Sequence, residues 1–178
     1  MTQISGNLLY RVKNFIIEMY GKDDYQHLLG EMDKSSRDIL SGIIISGQWY
    51  DIKVYQDLVG AVLKTKGKAE LMKLNKELGK QQLRGLFGFV TKFVSAEQVM
   101  KKGQMLWKRL HSEGSVEVKE FSETKIVIEV HDFQFSEAHL IGTAAYFEGL
   151  IEVLLQKDAE YQTFQPSERE YQFVYTFK

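Results

Sequence analysis

Four side chains able to bind a metal or move a proton lie close together in the chain: His131, Asp132, Glu137 and His139. Imidazole and carboxylate together suit zinc or iron when a fixed geometry and supporting hydrogen bonds hold them. Their spacing contains no His-x-x-x-His pair and no zinc signature. The stretch reads as a turn between a strand and a helix, where polar residues collect for ordinary backbone reasons. A metal site is therefore not expected. His139 stands near the start of a helix, where the dipole disfavours imidazolium, so a neutral ring is expected. It could serve as an axial ligand or a base, or sit as a helix-entry histidine with a satisfied hydrogen bond. His111 falls in the last turn of its helix, where a cation complements the dipole and needs no further role.

The densest feature is aromatic. Tyr171, Phe173, Tyr175 and Phe177 alternate along the C-terminal stretch, as the core face of a half-buried strand requires. The same face becomes a ligand wall if it lines an internal cavity. Lys64, Lys66 and Lys68 are interleaved with small residues, which fits a solvated helix end. Nucleophile chemistry finds little support: the chain has no Gly-x-Ser-x-Gly elbow, no Gly-x-Gly-x-x-Gly and no phosphate-binding Gly-Lys-Ser/Thr loop. It also has no cysteine. That excludes disulfides, a thiol nucleophile, iron–sulfur clusters and thiolate zinc.

These residues must be positioned by a chain of 178 residues, 44% apolar and 12% aromatic, with one proline. The length suits one domain, 1–178. A net charge of -1, from 23 basic and 24 acidic residues, does not fit nucleic-acid binding. Apolar runs such as Gly42-Ile-Ile-Ile-Ser46 are far too short to span a bilayer. No signal peptide is visible at the start, so a cytoplasmic protein is expected.

The first 113 residues read as helical. Ile4, Leu8, Val12, Phe15 and Met19 step by three and four, and Gly21 stops them. Short helices follow near Tyr25 to Met32 and Ser35 to Leu40, while Ile43 to Ile45 is either a buried turn or a short extended segment. Asp51 is a plausible N-cap for a helix ending near Gly67. Ala69 to Phe93 reads as one helix or two broken near Gly85 and Gly88, and Ser95-Ala-Glu-Gln98 is a capping box. The helix it opens carries Val99, Gly103, Leu106 and Leu110 on one stripe, with Met100 and Trp107 beside it. Beyond Gly114 the period becomes two. Val116 and Val118, then Ile126, Ile128 and Val130, form a hairpin. Ser136 caps a helix with Leu140, Ala144, Phe147, Ile151 and Leu154 on its apolar face, and a second hairpin closes the chain. Hairpin, helix, hairpin gives an α+β fold: a helical half, 1–113, and a four-stranded antiparallel sheet with a covering helix, 114–178.

This order of elements is similar to the heme NO-binding and 4-vinyl-reductase-like superfamily, and more closely resembles an uncharacterised bacterial branch of it. The residues behind the resemblance are Gly47 to Tyr55, Gly79 with Leu83-Arg-Gly-Leu-Phe-Gly88, Met105 to Arg109 running to Gly114, and Gly142 with Phe147-Glu-Gly-Leu150. Heme-binding members share an axial His within the helix before the sheet and a Tyr-x-Ser-x-Arg clamp on the propionates. Here that helix has a His only in its final turn, His111, and the clamp region reads His131-Asp-Phe-Gln-Phe135. The departures imply a retained fold with a different or lost ligand.

The reading that follows is a non-catalytic small-molecule-binding or sensory domain with no cofactor. Its ligand would be small and apolar, held between helices and sheet by Met100, Trp107, Phe147, Tyr171, Phe173 and Tyr175. A protein–protein scaffold is the competing class, and a heme or metal gas sensor using His111 or His139 is a third. A homodimer is expected because Leu9 and Ile16 widen the apolar surface of the first helix beyond one side of a small core.

Overall fold

A computed structural model describes residues 2–87 and 103–177, with side chains described for 2–83 and 103–177. Six helices and six strands are assigned within them. A three-residue strand β1 (Gln3–Ser5) leads into α1 (Gly6–Gly30), followed by α2 (Lys34–Ser41) and β2 (Trp49–Asp51). Then come α3 (Ile52–Lys66), α4 (Lys68–Phe87) and α5 (Gly103–Leu110). The sheet half is β3 (Ser115–Phe121), β4 (Lys125–His131), α6 (Glu137–Leu155), β5 (Ala159–Ser167) and β6 (Glu170–Phe177). Its antiparallel order is β3-β4-β6-β5, so the two hairpins pair through β4 and β6. The fold class expected from the sequence is the one observed.

Local signals place most boundaries. Gly21 takes φ 87°, a left-handed conformation that only glycine adopts at no steric cost, and it kinks α1 where the helical stripe ends. The Asp51 carboxylate accepts a hydrogen bond from the Lys53 N–H at 2.9 Å and starts α3, and Gly67 ends it. Lys64 and Lys66 near that end are paired with Glu31 and Asp24, as a solvated face would be.

Three expectations need correction. Ile43 to Ile45 is not a buried turn: Ile44 is buried, but Ile43 is 92% exposed and Ile45 58%, and no strand is assigned there. The segment crosses the start of α1, where only the middle side chain finds cover. Leu9 and Ile16 are wholly buried, because α1 packs against α2, α3 and α4 within the same chain. The surplus apolar surface read from the sequence is thus covered internally. Finally, α6 is long and apolar enough by length and composition to cross a membrane, which a search for unbroken apolar runs passed over. Here half of it is buried, packed between α4 and the sheet.

The α4–α6 crossing is the tightest in the molecule's described part. A Cβ on Gly149 would lie 2.1 Å from the Lys76 carbonyl oxygen, and one on Gly79 would lie 2.4 Å from that of Tyr146. Lys76 and Lys80 bridge the same crossing, Lys76 to Glu148 at 2.8 Å and Lys80 to Glu152 at 3.1 Å. Glycine backbones let the two helices touch, and that contact fixes the face α6 turns toward the interior. The Gly85–Gly88 break and the Ser95–Gln98 cap lie outside the residues whose side chains are described.

Candidate functional site

The side of α6 facing α5 and the first hairpin does not pack fully. A cavity of about 110 Å³ remains between α5, α6 and strands β3 and β4, closed on its other side by α3 and α4. Its wall on α5 includes Leu106, Trp107 and Leu110, and β3 and β4 add Val116, Val118 and Ile128. Helix α6 contributes His139, Thr143, Tyr146, Phe147, Leu150, Ile151 and Leu154. Tyr55, Asn75, Leu78, Gln82 and Leu83 complete it with Leu8 and His111. None of these lining residues is an acid, a lysine or an arginine.

Two histidines meet at one end. Ser136 caps α6 by accepting from the His139 N–H at 3.4 Å, which sets His139 in the first turn with its ring inward. His111 follows α5 directly. Its backbone N–H donates to the Trp107 carbonyl at 2.8 Å, and its segment is held from outside by β1, since Ser112 N–H donates to the Gln3 carbonyl. Trp107 is fixed in turn by its indole N–H, which donates to the Glu113 carbonyl at 3.0 Å. Gly114, at φ 76°, then turns the chain into β3.

The imidazoles are 6.1 Å apart between ring centroids. His111 stacks on Trp107 at 4.0 Å and meets Phe133 at 5.2 Å. His139 meets Phe135 at 4.7 Å and Tyr55 at 4.8 Å. Burial drives the His111 pKa down to about 3, which the nearby Trp107 carbonyl opposes only in part. Burial also holds His139 well below the ordinary histidine value, and His111 adds to the effect. Both rings are therefore neutral at pH 7. Both nitrogens of His111 and the Nδ1 of His139 have no hydrogen-bond partner. A buried polar atom without a partner costs roughly 1–3 kcal/mol, so this pair is an expense that packing alone does not require.

That arrangement corrects two readings. His111 is not a surface cation complementing a helix dipole, and His139, though neutral as expected, has no hydrogen bond to its Nδ1. The sequence did carry a signal for the first: His111 is four residues after Trp107, on the same inward stripe of α5. The cluster of metal-capable residues does not converge. His131 points to the sheet surface, with Nδ1 bonded to Glu170 and Nε2 3.4 Å from Glu129. The hydrogen bond from His131 holds the Glu170 carboxyl below its ordinary pKa. Asp132 sits in a left-handed turn, and its carbonyl accepts from Arg169. Among the described residues no group of three or more metal-capable side chains forms.

Of the residues expected to hold a ligand, Trp107 and Phe147 line the cavity. Tyr171, Phe173 and Tyr175 are buried but do not line it. They form the layer behind, where Phe173 meets Phe147 edge-on at 5.5 Å and the Tyr175 hydroxyl donates to the Ala144 carbonyl at 2.8 Å. Met100 lies outside the described residues.

Heme does not fit this cavity. Small-molecule and cofactor pockets usually measure roughly 300–1,000 Å³, well above the volume present. Propionates need cationic partners, and none of the described lining residues is cationic. The stretch that resembles the clamp region instead turns Phe133 and Phe135 onto the histidines. The orphaned ring nitrogens are the one feature that would suit an iron.

No family model matches the chain, and no curated protein matches it. Solved structures do. The chain is similar to the Fe(II) unliganded H-NOX protein from K. algicida, with a TM-score of 0.69 at 10% identity over 98% of this chain and 97% of that one. It is similar to an H-NOX protein from S. oneidensis in the Fe(II)NO ligation state, with a TM-score of 0.69 at 10% identity over 98% and 99%. An oxygen-binding H-NOX domain related to soluble guanylate cyclases gives a TM-score of 0.61 at 11% identity over 98% and 95%. The chain thus has an H-NOX-like fold along nearly its whole length.

Proposed function

We propose that this chain is a non-catalytic small-molecule-binding domain of sensory type, with an apolar ligand held between its helices and its sheet. The observation that carries the reading is the cavity of about 110 Å³, apolar over most of its wall, with partnerless imidazole nitrogens at one end. A dry cavity of roughly 150 Å³ is enough to take benzene. The H-NOX-like fold supports the placement, since the structures it resembles are described in ligand-bound and unliganded states. The wall chemistry supports the non-catalytic reading: among the described lining residues no acid, lysine or arginine stands beside the neutral imidazoles to stabilise developing charge.

The test is amide-resolved NMR of the protein in buffer saturated with toluene and, separately, with 1-hexanol. Shifts confined to Trp107, Phe147 and their neighbours on α5, α6 and β3 are expected. No shifts with either probe, or only shifts scattered over the surface, would overturn the reading.

A scaffold built on self-pairing has a different observation in its favour: Tyr10, Ile43, Ile45 and Trp49 are exposed large apolar side chains. On that reading a second copy covers this patch rather than the buried stripe of α1. A mass by light scattering that rises with concentration and falls back to one chain in Ile43→Lys supports it; a constant single-chain mass removes it.

A further inference from the structure

Resting on the binding reading above, we infer that the cavity takes a linear, uncharged amphiphile: an alkyl chain whose terminal hydroxyl meets His139, its tail lying along α6 toward Leu154. Three observations point to that shape and chemistry.

The first is elongation. The lining positions of α6 run from His139 to Leu154 on one stripe, and fifteen residues of helix advance about 22 Å. A space of only about 110 Å³ drawn out along such a stripe is narrow. It suits a chain better than a ring.

The second is polarity along that axis. His139 and Thr143 stand at the N-terminal end of the stripe, and Leu150, Ile151 and Leu154 at the other. Helix α4 runs alongside in the same direction, since Asn75 faces Gly142 and Lys80 bridges to Glu152. It therefore sets Asn75 at the histidine end and Leu78 and Leu83 farther along. Gln82, half-buried, is the polar exception at the aliphatic end.

The third is charge. A carboxylate brought to His139 would meet a neutral ring with no cation among the described lining residues, and an unpaired buried charge is strongly disfavoured. A hydroxyl suits the ring in either tautomer, because it can donate to a bare nitrogen or accept from an N–H. The Nδ1 of His139 is closed off from the cavity, so the hydroxyl would meet the ring at Nε2.

The experiment is a set of titrations of the full chain at pH 7, followed by NMR, with 1-butanol, 1-pentanol, 1-hexanol, n-hexane, hexanoate and toluene. Affinity is expected to rise about fourfold per methylene along the alcohols. Hexanol should bind about tenfold more tightly than hexane through its one hydrogen bond, and hexanoate at least a hundredfold more weakly than hexanol. In His139→Leu, with its fold checked by circular dichroism, hexanol should fall to the affinity of hexane. If hexane or hexanoate equals hexanol, or toluene exceeds it, the amphiphile assignment is wrong while the binding domain stands. If none of the six binds in the cavity, the binding reading itself fails. The wild-type comparison decides the matter even if the variant does not fold.

Discussion

Acidification between pH 7 and pH 5 should destabilise this protein for a reason located in its cavity. Above pH 6.5 both histidines are neutral in the folded and unfolded chains, so their contribution to stability is flat. Below it the unfolded chain takes up protons at the ordinary histidine value of 6.5, while folded His111 resists until about pH 3. Stability is therefore lost as the pH falls from 6.5 toward 3, at roughly 1.4 kcal/mol per unit for each such ring. At pH 5 the loss from His111 is about 2 kcal/mol, and His139, held well below its ordinary value by the same burial, acts in the same direction. The loss from His111 alone is a sizeable part of the 5–15 kcal/mol typical of a domain. Carboxylates held down by ion pairs, such as Glu31 beside Lys64, act only below their ordinary value of 4.5 and leave this window clean. Urea denaturation at pH 7, 6 and 5, extrapolated to water, measures the slope. His139→Leu should reduce it. Equal stability at pH 7 and pH 5, or a variant with the wild-type slope, would refute the claim that the two rings are buried and neutral.

At pH 7 the same His139→Leu variant should be more stable than wild type by about 1–2 kcal/mol, because a partnerless buried nitrogen is replaced by an aliphatic group; a lower melting temperature would show that Nδ1 has a partner after all. Gly149→Ala should cost about 1–3 kcal/mol or more, since the added methyl would lie 2.1 Å from the Lys76 carbonyl oxygen and α4 must move away. Gly60→Ala, with nothing within 4 Å of the new methyl in α3, should instead gain about 0.5–1 kcal/mol in thermal denaturation. Tyr175→Phe should lose about 1 kcal/mol with its hydrogen bond to the Ala144 carbonyl, read from the urea midpoint at unchanged slope.

What could be read in advance was whatever a few neighbouring residues decide. Gly21, Asp51 and Gly67 act through their own backbone or the next turn, and each stands where its type implies. The change of period after Gly114 likewise announced both hairpins, because alternation is a property of the strand itself. The misjudged residues depend on distant ones. Leu9 and Ile16 are buried by helices up to α4, so the width of one apolar stripe says nothing about what covers it. His111 looked like a helix-end cation because the dipole is a local argument, whereas Phe133 and His139, far along the chain, close over it and remove its water. Desolvation in a packed interior outweighs a dipole worth roughly 0.3–1 kcal/mol at a surface. The site thus arises where the two halves meet, with one histidine contributed by each. Trp107 shows how much of that meeting is legible: its place on the α5 stripe marks it as inward, yet only the first hairpin and the cap on α6 decide that it faces a void rather than a filled core.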